Sequence, residues 1–490
     1  MAMSPLDAAD AEKALHELES FLEKPQSRKH NRTVSFGKLD LPEYSVKKDV
    51  KANLSRTAYL DGLRGFAALL VYSLHHQVWA HSGMGGEFIL ENAFGWDHKY
   101  YFVCFPGIRI LFSGGHLAVA IFFVISGYVL TAKPLRLLQA RESAQLADNL
   151  SSALFRRWIR LFIPVIATTF LWMTSWHLFG IKSSNPIAAP PERTYLDEVW
   201  KWYCDFKNYS FIFTGDAWNA YNDHTWSIPM EFRGSIVVYT ASLAFSRFKT
   251  DKRLLCEVGL IWYFLWIVDG WFCALFMVGM LLADLDLLAE KDRLPAVLAR
   301  LRPFKLPLCY LMFFAALYLG GVPSITNDLS HLRDSPGWHF LSYLKPQAVY
   351  DFRWFFRFWA ASLMVACIPH IAWLKAFFET TFCRYLGRIS FGFYLVHGPV
   401  LWTVGDRLYA AVGRVREGHV GVVPTWINLF PFSGWGPFGL ELNYLVPHLI
   451  LLPLTLCLAE AITKLIDEPS VKFAQWAFGQ DVAAPKKADP

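Results

Sequence analysis

Charged residues are scarce in this 490-residue sequence, where Asp, Glu, Lys and Arg together make up 18%. Soluble globular domains carry about 25%. Apolar residues make up 54% and aromatic residues 17%, and the mean hydropathy is +0.27. This composition excludes a disordered, collagen-like or small disulfide-linked chain, and apolar stretches near the length of a bilayer crossing recur along it. The sequence therefore predicts an integral, multi-pass membrane protein.

Other signals are also missing. The eight cysteines form no CxxC pair and have no spacing that suits zinc, so no metal site is predicted. The first twenty residues lack the apolar core of a cleavable signal, so we expect the first hydrophobic segment to anchor the chain. No internal repeat and no matched pair of broken helices is visible, although secondary transporters often have them. The net charge of +6 fits cytoplasmic loops better than nucleic-acid binding.

The predicted fold is all-α, a transmembrane bundle of about ten helices with both termini in the cytoplasm. The predicted spans are 59–80, 116–132, 161–179, 227–246, 254–269, 271–287, 306–321, 355–374, 389–405 and 443–465. On this arrangement the cytoplasmic loops carry 18 Lys or Arg in 67 residues, against 12 in 149 on the opposite side. That asymmetry agrees with the positive-inside rule.

Three domains follow from these spans. Residues 1–57 form a polar cytoplasmic tail with a short amphipathic pattern at 14–22, residues 58–466 form the membrane domain, and residues 467–490 form a second cytoplasmic tail. We expect the protein to lie in an endomembrane or in the plasma membrane, in contact with its lipids.

Two ionisable residues lie in the otherwise apolar first span. Arg64 and His75 are eleven residues apart, which places them on one helix face, about 16 Å apart along the axis. Ionisable groups inside a membrane are costly and often functional. One reading is that both residues line a pocket, with Arg64 near the cytoplasmic mouth. The other is a snorkelling arginine and a core histidine bonded to a carbonyl.

A second signal is the segment HTWSIPMEFRGS at the start of the fourth span, which contains Glu231. The two spans place Glu231 and His75 at similar depths below the non-cytoplasmic surface. A carboxylate bonded to one imidazole nitrogen raises the basicity of the other, as a general base requires. The alternative is a local pair between Glu231 and Arg233, or a contact of Arg233 with lipid.

Further candidates have two readings each. Arg156, Arg157 and Arg160 at the entrance of the third span either enforce topology or bind the phosphates of a nucleotide cofactor. Ser126-Gly127 more readily indicates close helix packing than a nucleophile. His397 in the ninth span is either structural or part of a polar wall. These alternatives stay open on sequence spacing alone.

Six segments together resemble the acyltransferase 3 family of integral-membrane acyltransferases, and the form of the fourth segment, with the closing DEPS, is similar to the fungal branch. In chain order the segments are YLDGLRGFAALLVYSLHH, GGHLAVAIFFVISGYVLT, RRWIRLFIP, HTWSIPMEF, FMVGMLLAD and LGRISFGFYLVHGPV. The resemblance implies a ten-span core that transfers an acyl group, commonly acetyl, from acyl-CoA to a hydroxyl. Acyl-CoA would be a co-substrate, with no permanently bound cofactor.

The resemblance also implies site residues. The family's Arg-x10-His motif falls on Arg64 and His75, with His75 catalytic and Arg64 tied to acyl-CoA. The family's other motif positions fall on Trp226, Glu231, Ser126, Gly127, Tyr394, Leu395 and His397. The segment RRWIRLFIP has one more residue between its last arginine and its proline than the common family pattern, so the pattern does not identify which arginine contacts phosphate.

The resulting hypothesis is an O-acyltransferase acting on a small molecule such as a secondary metabolite or sugar. In it, Arg64 and one or more of the three clustered arginines hold CoA. Glu231 orients His75 as general base, with Ser126, His397 and Trp226 as candidate supporting residues. Two alternatives are a transporter or channel that uses the same polar residues, and a relay that carries the acyl group across the membrane to a glycan.

The predicted topology also has consequences for modification. Of the four Asn-x-Ser/Thr sites, only Asn208 lies on the predicted non-cytoplasmic side, where it could be glycosylated. Cys104 and Cys204 are the only cysteines in loops on that side, which makes them the one pair that could form a disulfide.

Overall fold

The computed structural model describes residues 56–81, 92–183, 191–213 and 218–481. Across these ranges the chain forms helices and no β-strand, which confirms the all-α prediction. The amphipathic pattern at 14–22 lies outside the described residues.

The longer helices are labelled in chain order. They are α1 (Ala58–His81), α2 (Gly115–Ala140), α3 (Ser143–Phe179), α4 (Tyr195–Ser210), α5 (Ser227–Ala244), α6 (Thr250–Trp262), α7 (Trp271–Glu290), α8 (Lys305–Gly320), α9 (Phe352–Cys367), α10 (Ala372–Phe378), α11 (Thr381–Val400), α12 (His448–Ile462) and α13 (Glu468–Asp481). Three single-turn π-helices continue α6, α11 and α12 at Tyr263–Ile267, Leu401–Gly405 and Thr463–Asp467. Shorter α-helices are Ile110–Ser113, Ala296–Arg300, Leu329–Asp334, His339–Ser342, Asp406–Ala411, Glu417–Val422 and Leu442–Leu445.

Several helices are long and apolar enough to cross a membrane. Within the described residues there are five: Gly115–Ala140, Ser143–Phe179, Trp271–Glu290, Arg302–Gly320 and Leu442–Gly479. A sixth is reached if Phe352–His370 and Ala372–Phe378, bent by 101°, count as one span. The ten-span count and the orientation of the termini stay predictions, because the other candidate spans are shorter or, like α1, carry polar residues.

Two predicted spans differ from the helices observed. The predicted span 355–374 is broken, because the chain turns sharply after His370 and restarts as α10. The last predicted span ends at 465, but helical structure continues through α13, which packs on α3 with the rings of Phe155 and Phe478 5.9 Å apart. The start of the predicted C-terminal tail is therefore part of the folded helical core.

Close helix packing centres on α1, α2, α7 and α11, with α2 packed on α7 and α1 packed on α11. A side chain at Gly127 would overlap the backbone of Phe276, and one at Gly279 would overlap the carbonyl of Val124. Gly127 therefore has the packing role that the sequence favoured, because only a hydrogen atom fits between α2 and α7 there.

We expect Gly127→Ala to destabilise the protein. The overlap with Phe276 forces α2 away from α7 at a typical cost of about 1–3 kcal/mol, which exceeds the gain of about 1 kcal/mol in helix propensity. Thermal unfolding in detergent measures the effect. The matched control is Gly259→Ala in α6, where no atom lies within 4 Å of the new methyl group. That variant should be as stable as the wild type or slightly more stable, and equal unfolding temperatures for the two variants would contradict the packing argument.

The predicted disulfide is absent from the structure. Neither Cys104, which is buried beside Val103, nor Cys204, which is half-buried on α4, forms a disulfide. Cys104 packs with apolar neighbours, as small hydrophobic residues do.

Candidate functional site

Helix α1 carries two residues of the candidate site, Arg64 and His75. Because the helix is continuous from Ala58 to His81, Arg64 and His75 lie three turns apart along one wall, as the spacing predicted. The Arg64 guanidinium donates a hydrogen bond to the carbonyl of Gly387 on α11 (3.0 Å) and forms an ion pair with Asp61 (3.2 Å). These contacts hold Arg64 at the junction of α1 and α11.

Arg64 opens onto a cavity of about 170 Å³, which we call the arginine pocket. Its polar and charged lining comes from α1, α2, α3, α5, α11 and the end of the π-helix after α12. These residues are Arg64, Ser126, Arg157, Arg160, Ser227, Glu231, Arg388, Ser390, Tyr394 and Asp467. Four arginines against two carboxylates give the pocket a positive character, which suits an anionic ligand.

The carboxylate of Glu231 belongs to the arginine pocket. It forms an ion pair with Arg157, whose guanidinium also donates to the Ser235 hydroxyl (2.9 Å). The Ser126 hydroxyl lies within hydrogen-bonding reach of the same carboxylate. The predicted contact between Glu231 and His75 is not formed, because Arg157, on α3 and packed against α5, takes the carboxylate instead.

Arg160 differs from its neighbours in the pocket. Among the residues that the structure describes, it forms no hydrogen bond and no ion pair, whereas Arg388 is paired with Glu460. Arg160 is therefore the guanidinium most available to a ligand.

Arg156 does not line the arginine pocket. Its Nε donates to the carbonyl of Ser152 one turn earlier on α3 (3.1 Å). One helical step of 100° separates Arg156 from Arg157, so the two side chains leave the helix in different directions. The structure thus separates the three arginines that the sequence treated as one cluster.

His75 joins two other histidines in a second group, which we call the histidine cluster: His75, His224 and His397. The rings of His75 and His224 are stacked with centroids 3.6 Å apart, and the centroid of His397 lies 5.2 Å from His75 and 4.8 Å from His224. His75 is half-buried, whereas Nδ1 of His224 and Nε2 of His397 are buried without a hydrogen-bond partner. Buried polar atoms are rarely left unpaired, so such atoms mark a place where a ligand or water binds.

Three imidazoles raise the question of a metal, although the sequence predicted none. One nitrogen from each histidine can be chosen so that all three lie within 4.8 Å of one another, and three histidines with an open fourth position can hold zinc. Ligand nitrogens, however, direct lone pairs in their ring planes to one point. His75 and His224 lie face to face at 26°, so their lone pairs run nearly side by side. The cluster as folded is therefore better arranged for hydrogen bonds to a substrate than for a metal ion.

Tyr394 connects the arginine pocket and the histidine cluster. Its hydroxyl lies 2.8 Å from that of Ser227 and donates to the backbone carbonyl of His224. Its own carbonyl accepts from Nδ1 of His397 (2.7 Å). One residue thus lines the pocket and holds two members of the cluster, so the two groups share a wall.

Two candidate residues lie elsewhere. Trp226 packs edge-on against Trp354 with ring centroids 5.8 Å apart, and it lines neither the arginine pocket nor the histidine cluster. Its position indicates a packing role at the start of α5. Asn208, the predicted glycosylation site, is exposed in the last turn of α4.

Sequence reasoning assigned no role to several site residues. His224 is the first residue of the segment HTWSIPMEF, and Arg388 lies nine residues before His397 in the segment LGRISFGFYLVHGPV. Both residues therefore belong to segments that carry the family resemblance. Asp467 lies in the closing DEPS. A sequence signal was present for each, but nothing in the spacing indicated which residues share a cavity.

Comparison with known proteins identifies the family of this chain. A family model for an acyltransferase domain matches residues 57–459. The chain belongs to the acyltransferase 3 family. This membrane-embedded family is the one that the six segments resemble, so the family resemblance is confirmed, and membership supports acyltransferase activity.

Three fungal proteins are similar over most of their length. O-acetyltransferase PaAT-1 of Phomopsis amygdali is 30% identical, covering 89% of this chain and 87% of the relative. Acyltransferase clz18 of Cochliobolus lunatus is 21% identical, covering 76% and 88%, and acyltransferase R4 of Phoma sp. is 20% identical, covering 74% and 87%. No solved structure matches.

Proposed function

We propose that this protein is a membrane O-acyltransferase that transfers an acyl group, with acetyl as the first candidate, from acyl-CoA to a hydroxyl of a small molecule. The acceptor class is a secondary metabolite or a sugar. The observation that carries the proposal is the shared wall at Tyr394, which connects an arginine-lined pocket to a histidine cluster. The similarity to a fungal O-acetyltransferase supports the choice of acetyl.

The arginine pocket supplies the donor site in this proposal. Guanidinium groups bind phosphates through paired hydrogen bonds, and Arg160 and Arg64 face the cavity with Asp467 beside them. Arg64 and His75 lie about 16 Å apart along α1. A donor whose phosphates and thioester are joined by a long flexible arm can occupy both places at once.

The histidine cluster supplies the chemistry. A lone pair of neutral His75 takes the proton of the acceptor hydroxyl as its oxygen attacks the thioester carbonyl. The carbon–sulfur bond then breaks, and the imidazolium returns the proton to the thiolate. The products are an ester and free CoA, and His75 is neutral again. Ser126 lies beside Glu231 in the arginine pocket, so it supports donor binding in this scheme rather than an oxyanion at the cluster.

The direct test is CoA release by the purified protein in lipid vesicles. Acetyl-CoA is supplied with a panel of sterols, terpenoid alcohols, phenols and sugars, and thiol release and mass spectrometry report the ester. Release that depends on one class of alcohol is the expected result. No CoA release with any alcohol or acyl-CoA, from protein that is folded and monodisperse, would count against the proposal.

We expect Arg160→Gln to raise the KM for acetyl-CoA about 10- to 100-fold with little change in kcat, because a hydrogen bond to a charged group contributes about 1.5–3 kcal/mol. Arg156→Gln is the matched control on the same helix, because Arg156 does not line the pocket. Its KM should stay within about twofold of the wild type. An equal rise in both variants would show that the arginines act through general surface charge instead.

A further inference from the structure

His397 is the one member of the histidine cluster whose tautomer follows from its contacts. Its Nδ1 lies 2.7 Å from the backbone carbonyl of Tyr394, one turn earlier on α11. A carbonyl oxygen only accepts hydrogen bonds, so Nδ1 carries the hydrogen and Nε2 has a bare lone pair. In neutral His397, Nε2 is therefore a hydrogen-bond acceptor.

That acceptor is buried, and no donor reaches it within the part of the chain that the structure describes. Two imidazoles lie near. His224 is stacked on His397 at 12°, so the in-plane N–H of His224 runs past Nε2 rather than towards it. His75 is tilted by 37°, and its ring centre lies 5.2 Å away. Two imidazoles joined by a hydrogen bond of about 2.9 Å between their nitrogens also have their ring centres close to this distance.

We infer that Nε2 of His397 accepts a hydrogen bond from an N–H of His75 and so orients the base of the proposed transfer. His397 then has the task that the sequence assigned to Glu231, whose carboxylate is bound by Arg157. Catalytic hydrogen bonds are often long in an unliganded site and tighten when substrate binds. The catalytic consequence of this hydrogen bond rests on the proposed function. The hydrogen bond between the two histidines does not depend on it.

The contact decides which nitrogen of His75 is basic. Neutral imidazole has one N–H and one lone pair, so an N–H directed to His397 leaves the other nitrogen bare for the acceptor hydroxyl. When His75 takes that proton, its hydrogen bond to His397 becomes charge-assisted and stronger. His397 gains no proton in this step and acts through His75, as a positioning residue.

Two polar substitutions at His397 separate this role from simple packing. The side-chain carbonyl of glutamine can reach the place of Nε2 and accept from His75. The side-chain carbonyl of asparagine ends near the place of Nδ1, so it cannot accept a hydrogen bond from His75. Activity is measured in lipid vesicles with acetyl-CoA and the panel alcohol that gives the most CoA release. We expect kcat to fall about 100-fold in His397→Asn and less than about 10-fold in His397→Gln, within the usual range of general-base effects. The KM for acetyl-CoA should not change in either variant.

A second readout requires no acceptor. Diethyl pyrocarbonate reacts with the bare nitrogen of a neutral imidazole, and peptide mass spectrometry gives the rate at His75. His397→Asn should slow that reaction about 10-fold or more, while His397→Gln keeps the wild-type rate. If the wild type releases no CoA, the proposed function fails, and the reagent still tests the hydrogen bond.

Three outcomes would overturn the inference. One is equal kcat, or equal reagent rates at His75, in the glutamine and asparagine variants. Another is a loss of activity in both variants that follows their unfolding temperatures, which would make His397 a packing residue. The third is one equivalent of zinc in the purified protein, lost together with activity on chelation and restored with it, which would make the three histidines metal ligands.

Discussion

His75→Ala is expected to lower kcat for acyl transfer by about 10²- to 10⁴-fold, the usual contribution of a general base. His75 is half-buried at the centre of the histidine cluster, and apart from the inferred contact with His397 no described residue forms a hydrogen bond to it, so its removal leaves the other hydrogen bonds of the fold intact. The protein should stay folded and keep its KM for acetyl-CoA, because the arginine pocket is unchanged. CoA release in lipid vesicles, with thermal unfolding measured in parallel, gives both quantities.

The control for this variant is His339→Ala, which removes an exposed histidine outside both the pocket and the cluster. It should have wild-type kcat. Turnover of His75→Ala within about threefold of the wild type would remove His75 from the mechanism.

Labelled acetyl-CoA followed by mass spectrometry of the protein also tests the relay alternative, which predicts an acyl group bound to His75 or Ser126.

Glu231→Gln is expected to destabilise the protein by about 3 kcal/mol, the lower end of the cost of breaking a buried ion pair. The Glu231 and Arg157 side chains are 13% and 10% exposed, so the substitution leaves a nearly buried guanidinium without its counterion. Because Glu231 contacts Arg157 and not His75, kcat should stay within about threefold of the wild type at a temperature where the variant is folded. Chemical unfolding and steady-state kinetics measure the two effects.

The double variant Glu231→Gln/Arg157→Gln tests the cause of that loss. Removing both charges should restore much of the stability, because no unpaired charge is left buried, and the coupling energy from the double-mutant cycle reports the pair. The KM for acetyl-CoA should rise, since the pocket loses one arginine. A 100-fold fall in kcat for Glu231→Gln with unchanged stability would instead restore the pairing of Glu231 with His75 that the sequence suggested.

Much of the fold followed from the sequence. Composition and the long apolar segments predicted an all-helical membrane protein, because both signals depend only on the local transfer of residues into lipid. The spacing of Arg64 and His75 predicted one wall, because helix geometry alone relates two residues on one helix. The break after His370 and the folded helix α13 were not predicted, since both depend on contacts with other helices.

The sequence by itself determined the family and the residue types of the site: a histidine three turns above an arginine, with further arginines, a carboxylate and a second histidine in the same membrane domain. Only the tertiary structure decided the partners. It paired Glu231 with Arg157 and brought His224, from the turn just before α5, and His397, from α11, beside His75. Sequence periodicity predicts how deep in the membrane a residue lies and which face of its own helix it occupies. The rotation of each helix against its neighbours is determined by packing over the whole bundle, and that rotation decides which side chains meet.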